Sequence, residues 1–210
     1  MRIDRQTFWF LDLVIELREN LAVLRSSNIE EIINRPTHGL GERELVEALT
    51  ALCQAGLIEV ANEHGVRACS PHEVERAFAE SSCKPRHYSG FWYGLTPAGG
   101  AAWESVTRPD WSLYSTYGAG QEDICIEAAS HERALEEFAW ASKDPTHVPI
   151  MSSYQETRLQ PWEATYWKTL SEGFRIQYAW AKGRNTTAWL LSKPFSRRWY
   201  EEPKLDGLNG

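Results

Sequence analysis

The sequence predicts an α+β chain in two parts, a helix-rich domain over 1–108 and an antiparallel α+β domain over 109–210. Three observations carry that expectation. Apolar residues recur at helical spacing over 7–25 and again over 42–54. Apolar and polar residues alternate from Phe174 to Tyr178, and Trp180 continues the apolar face. Between these regions, Pro109-Asp110 punctuates the chain.

Taken in order, Phe8, Leu11, Val14, Ile15, Leu17, Leu21 and Leu24 place one apolar stripe on a helix over 7–25. Asn28 is placed to cap a short second helix over 29–34, with Glu30 and Glu31 favoured in its first turn by the helix dipole. That helix must stop before Pro36, and Gly39-Leu40-Gly41 makes a turn. A third helix runs over 42–54, burying Leu45, Ala48, Leu49 and Leu52, and Gly56 ends it. Residues 57–60 then alternate as a strand. Ser70-Pro71-His72-Glu73 is a capping box with proline at the first helical position, so a helix follows through Val74, Ala77 and Phe78.

A helix, a short helix, a turn, a third helix and a strand, followed by Tyr93-Gly94-Leu95-Thr96-Pro97-Ala98-Gly99-Gly100, resemble the winged helix-turn-helix of MarR-like and PadR-like regulators over about residues 8–106. In that family a hydrophobic-Leu-Thr-x-x-Gly step joins the second wing strand to a helix; here Thr96 is suited to cap and Pro97 to open it. Two departures bear on function. The resemblance implies that the third helix would meet DNA, yet its solvent-side residues are Glu42, Arg43, Glu44 and Glu47, three carboxylates against one guanidinium. About thirty residues containing a helix also stand where a short wing hairpin belongs. Arg67, Lys84, Arg86 and His87 in that insertion are the remaining basic cluster that could face phosphate.

In the second half, 111–117 and 123–128 read as strands separated by a turn at Gly118-Ala119-Gly120. Ser130 caps a helix whose buried stripe is Ala134, Leu135, Phe138 and Ala141, ending at Asp144-Pro145. Residues 154–159 form a further strand, 163–170 and 173–181 a hairpin, and 187–191 a last strand ahead of a frayed tail after Glu201. Phe174, Ile176, Tyr178 and Trp180 share one face, with Arg175 and Gln177 on the other.

Composition narrows the partners. The chain carries 22 Lys+Arg against 29 Asp+Glu, a net charge of −7. Residues 1–108 hold 11 against 15 and residues 109–210 hold 11 against 14, so both halves are acidic and neither has the basic footprint of a phosphate binder. DNA binding is disfavoured. Charges at Asp4, Asp12, Glu16 and Glu19 interrupt the N-terminal apolar run, which argues against a signal peptide or a membrane span. Four cysteines without disulfide-like density predict a reduced, cytoplasmic protein.

No phosphate-cradling glycine loop, nucleophile elbow or zinc-protease helix is present, so no catalytic or cofactor-binding residue is assigned. His131 and His147 lack a sequence-near partner marking either as a base, and Cys125 reads as a structural thiol within a strand. Cys69, His72, Cys83 and His87 have residue types that a tetrahedral zinc site uses, but no tight Cys-x-x-Cys knuckle, and no metal site is assigned. Six of the ten tryptophans follow residue 130; they serve either a core or an interface. Trp162, Tyr166 and Trp167 are the candidate interface anchors, with Glu42, Arg43, Glu44 and Glu47 as the candidate charged surface. Arg197-Arg198-Trp199-Tyr200 is a second basic-aromatic cluster, read first as a packed element end.

The expectation is a non-enzymatic protein that binds another protein. Small, acidic, motif-poor chains of this design resemble bacterial immunity proteins, which neutralise toxins, and a carboxylate-lined face suits a nuclease with a basic active site. The alternative is a winged-helix transcriptional regulator whose C-terminal domain senses a ligand or dimerises.

Overall fold

The computed structural model describes residues 3–84, 87–120, 122–183 and 199–203. The chain is α+β with antiparallel sheets, and it divides after Thr107 into two compact units.

The first unit opens with α1 (Arg5–Leu13), started by the Asp4 carboxylate accepting from the Thr7 N–H at 2.8 Å. The expected single helix over 7–25 does not form. The helix ends at Val14, Leu17 is 77% exposed, and the chain re-enters as β1 (Glu19–Asn20) and α2 (Leu21–Leu24). Asn20 is the cause. Its buried side chain accepts from the Ala22 N–H at 2.9 Å to cap α2 and donates to the Ser89 carbonyl at 3.0 Å. An asparagine so engaged competes with the helical backbone, and strand pairing overrides the local period.

α3 (Ile29–Ile33) ends on Asn34, which adopts a left-handed φ of 49°. Asn28 occupies its N-cap position but makes no capping bond, because its Oδ1 accepts from the Ser26 hydroxyl instead. α4 (Glu42–Gln54) buries Leu45, Val46, Leu49, Thr50, Leu52 and Cys53, with Ala48 only half-buried. Gly56, at φ +71°, turns the chain into β2 (Ile58–Asn62). α5 (Pro71–Glu80) starts at the expected capping box: Ser70 Oγ accepts from the Glu73 N–H at 3.3 Å, and Glu73 accepts from the Ser70 N–H at 2.9 Å. The hairpin of β3 (Ser82–Lys84) and β4 (His87–Ser89) follows.

β5 (Phe91–Leu95) lies between β1 and β2, in register Val60↔Tyr93 and Glu19↔Tyr93. α6 (Pro97–Thr107) is capped by Thr96, whose Oγ1 accepts from the Gly99 N–H at 3.0 Å. Trp103, fully buried, donates its Nε1 to Asp12 at 2.9 Å, and Arg35 holds the other oxygen of that buried carboxylate at 3.1 Å. Removing either donor would leave Asp12 short of a partner, at a cost of roughly 1–3 kcal/mol.

In the second unit Asp110 caps a short 3₁₀ turn over Trp111–Leu113, so the strand expected from residue 111 starts later, as β6 (Ser115–Ala119). Gly118 and Ala119 pair within that strand rather than turning. β7 (Asp123–Ala128) and α7 (His131–Ala141) fall where expected, with the Ser130 hydroxyl accepting from the Arg133 N–H at 3.1 Å. Leu135 is 38% exposed; Glu137 is buried in its place, beside Ala134 and Ala141. Arg133 and the Ser115 hydroxyl both donate to that carboxylate, which is what makes its burial tolerable.

β8 (His147–Pro149), a 3₁₀ turn over Met151–Ser153, β9 (Gln155–Leu159), β10 (Trp162–Glu163), β11 (Thr169–Leu170) and β12 (Gly173–Lys182) complete the described elements. The expected 163–170/173–181 hairpin is replaced. β10 and β11 form their own two-stranded ribbon, and β12 pairs with β7 on one side and with β9 and then β8 on the other. Burial explains the exchange: β12 places Ile176 and Tyr178 in a core with Ile124, Ile126, Ala128, Ala134 and Ala141, as a central strand. The strand expected over 187–191, Arg197, Arg198 and most of the tail lie outside the described residues.

Candidate functional site

The sequence-derived charged surface lies on one helix face. Leu45 and Leu49 anchor α4, leaving Glu42, Arg43, Glu44 and Glu47 exposed. Arg43 Nε stands 3.3 Å from Glu47 one turn on, and Arg25 reaches Glu42 at 3.0 Å. Glu44 accepts from the Gly41 N–H at 2.9 Å, so it also serves as the carboxylate at the start of its own helix. Exposed pairs of this kind contribute about 0–1 kcal/mol each to stability. They leave the face with three carboxylates and a single cation of its own, the reverse of what a DNA backbone attracts.

Of the basic insertion cluster, Arg67 lies 3.4 Å from Glu59, which also holds Arg18 at 2.6 Å. Arg86 and the side chains of Lys84 and His87 lie outside the described residues.

The three aromatic candidates separate. Trp162 is 2% exposed and packs with Tyr114 and Ala164, so it is a core residue. Its Nε1 donates to Glu127 at 2.7 Å, and the other oxygen of Glu127 receives Arg175 Nε at 2.8 Å. Tyr166 and Trp167 occupy the turn between β10 and β11, not an alternating strand. Tyr166 is 36% exposed, whereas Trp167 is half-buried, its ring 5.8 Å from that of Trp111, centroid to centroid and edge to face. Lys168 Nζ sits 5.3 Å over that same Trp111 ring. Trp199 joins the cluster, 4.8 Å from Trp111 and 4.7 Å from Tyr114.

Of the possible zinc ligands, Cys69 and His72 are exposed, and Cys83 donates to the Ala22 carbonyl at 3.6 Å. Among the described residues no group of three or more His, Cys, Asp or Glu could hold a metal ion. No helix among them is long and apolar enough to cross a membrane.

Sequence reading missed one constellation. His147, expected to lack a near partner, stands 2.8 Å through Nδ1 from the Asp144 carboxylate three residues earlier. Asp144 is buried and also accepts from the Thr146 N–H at 2.7 Å and hydroxyl at 2.6 Å. Burial alone would push its carboxyl up, but the Thr146 hydrogen bonds and the His147 contact outweigh that and hold it below the ordinary range. The His147 ring lies 4.1 Å from Trp180, centroid to centroid, on β12. The indole Nε1 of Trp180 and the Tyr178 hydroxyl are buried with no hydrogen-bond partner among the described residues. The carboxylate orients the imidazole through Nδ1. His131 is likewise paired, its Nε2 2.9 Å from Glu156. The Asp-x-x-His spacing at the end of a helix was the legible signal; the turn that closes it was not.

No family model matches the chain, and neither a curated protein nor a solved structure does.

Proposed function

We propose that this chain is a non-enzymatic binding protein whose first unit is a winged-helix scaffold and whose partner is a protein with a basic surface. The observation that carries the reading is the exposed α4 face, where Glu42, Glu44 and Glu47 surround Arg43. In the finer form of the proposal the partner is a toxin with a cationic active-site cleft, which these carboxylates occupy in place of nucleic-acid phosphates. Tyr166 and Trp167 add an aromatic contact surface in the second unit.

The test is affinity capture from the native host with the wild-type chain and with E42K/E44K/E47K, followed by titration of the captured protein against both. The expected result is one basic partner whose binding weakens by roughly tenfold for each charge pair lost and falls as salt rises. Equal affinity for the wild type and the charge-reversed chain removes α4 from the interface and overturns the reading.

A further inference from the structure

Cys53 and Cys69 come together without being close in sequence. Cys53 lies in the last turn of α4, 8% exposed, and its thiol donates to the Ala68 carbonyl oxygen at 3.6 Å. That carbonyl is the one bonded to the Cys69 nitrogen. Backbone dimensions put its oxygen about 2.8 Å from the Cys69 Cα, so the Cys53 sulfur lies within about 6.4 Å of that Cα. The Cys69 side chain also reaches the Cys53 thiol, as a charge and as a side-chain hydrogen-bond partner, the proximity from which a disulfide, with its Cβ atoms about 3.5–4.5 Å apart, can close. The backbone around Cys69 is held in place: Ala68 N–H donates to the Val60 carbonyl at 3.0 Å, Arg67 bridges Ala61, and the Glu73 carboxylate accepts from the Cys69 N–H at 3.1 Å. Cys69 is exposed, whereas Cys83 and Cys125 are half-buried.

From this arrangement we propose that Cys53 and Cys69 are an oxidisable dithiol, a covalent modification site that a small organic disulfide converts to an intramolecular disulfide between α4 and the start of α5. The inference is independent of the protein-binding reading. The exposed Cys69 thiolate attacks one sulfur of the oxidant, forming a mixed disulfide and expelling one thiolate. The Cys53 thiolate then attacks the Cys69 sulfur, expelling the second. The two protons of the protein thiols go to the two released thiolates, and one disulfide is reduced as one is formed.

Burial first, and the neighbouring Cys69 thiolate second, push the Cys53 thiol up to about 12. Once Cys69 is tied up in the mixed disulfide, that second cause disappears. Ring closure is therefore the slow, base-accelerated step, and the mixed disulfide precedes it.

The experiment uses the reduced full-length chain, incubated with glutathione disulfide, quenched with acid and mapped by peptide mass spectrometry. The expected product is a Cys53–Cys69 linked peptide and a chain lighter by about 2 Da, formed faster as pH rises. Cys83→Ser and Cys125→Ser leave this product unchanged, Cys69→Ser abolishes it, and Cys53→Ser stops at the glutathione adduct on Cys69. A wild-type chain that accumulates the adduct without closing, links other cysteines or does not react overturns the proposal. The wild-type map alone decides the matter even where Cys53→Ser does not fold.

Discussion

At the scale of single residues, two positions concentrate the fold's demands. A Cβ built on Gly99 would sit 1.8 Å from the Leu57 carbonyl oxygen, which is backbone and has nowhere to yield. Gly99→Ala is therefore expected to destabilise the first unit by about 1–3 kcal/mol, read as a lower denaturant midpoint at unchanged slope. The hydrophobic-Leu-Thr-x-x-Gly step flagged this glycine; only the structure shows that it lets α6 approach the carbonyl preceding β2. Asp144 is the second. Its carboxyl is held below its ordinary range, so the native state favours the ionised form. That stability is fully present above the unfolded-state value and is lost as pH falls through the folded one. Asp144→Asn should flatten the acid side of a stability–pH profile while leaving its slope above neutrality unchanged. An unchanged acid limb would show that the Thr146 and His147 contacts carry no linkage.

At the scale of elements, local chemistry was most readable where a helix begins on its own side chains. Ser70, Pro71 and Glu73 specify α5 without help from elsewhere, and the structure returns that helix. Hydrogen bonds from the Ser70 and Cys69 N–H groups and the Ser70 hydroxyl hold Glu73 down to about 2. Its contribution persists to acid pH and disappears only as pH falls toward that value. Ser70→Ala should cost about 0.5–2 kcal/mol and raise the Glu73 pKa, measurable by NMR titration. The 7–25 segment failed for the opposite reason. Its apolar spacing continues through Leu17 and Leu21, but Asn20 finds partners at Ala22 and, 69 residues away, at Ser89. Periodicity reports burial and is blind to a cap whose second partner is remote. The 163–170 strand failed similarly, since β12 satisfies its edges with β7, β8 and β9 and leaves that stretch to a separate ribbon.

At the scale of the whole molecule, charge is the property on which the proposed function turns. A net charge of −7 shared by both halves, with Arg67 beside Glu59, disfavours attraction to a polyanion. The full chain is expected to show no sequence-specific duplex binding at physiological salt in fluorescence anisotropy. Tight, salt-sensitive binding with sequence preference would instead favour the regulator. The amino-acid order alone determined the α+β class, the limits of α4 and β7, the start of α5, the side of β12 that faces the core, and the acidic character of the α4 face, because each depends on period or on side chains within one turn. Tertiary structure decided the rest. It buried Trp162, ended the first helix at Val14, joined Asp144 to His147 and set Cys53 against the Cys69 backbone. Those outcomes depend on which remote groups satisfy a buried polar atom or cover an indole, and a linear pattern holds no record of that.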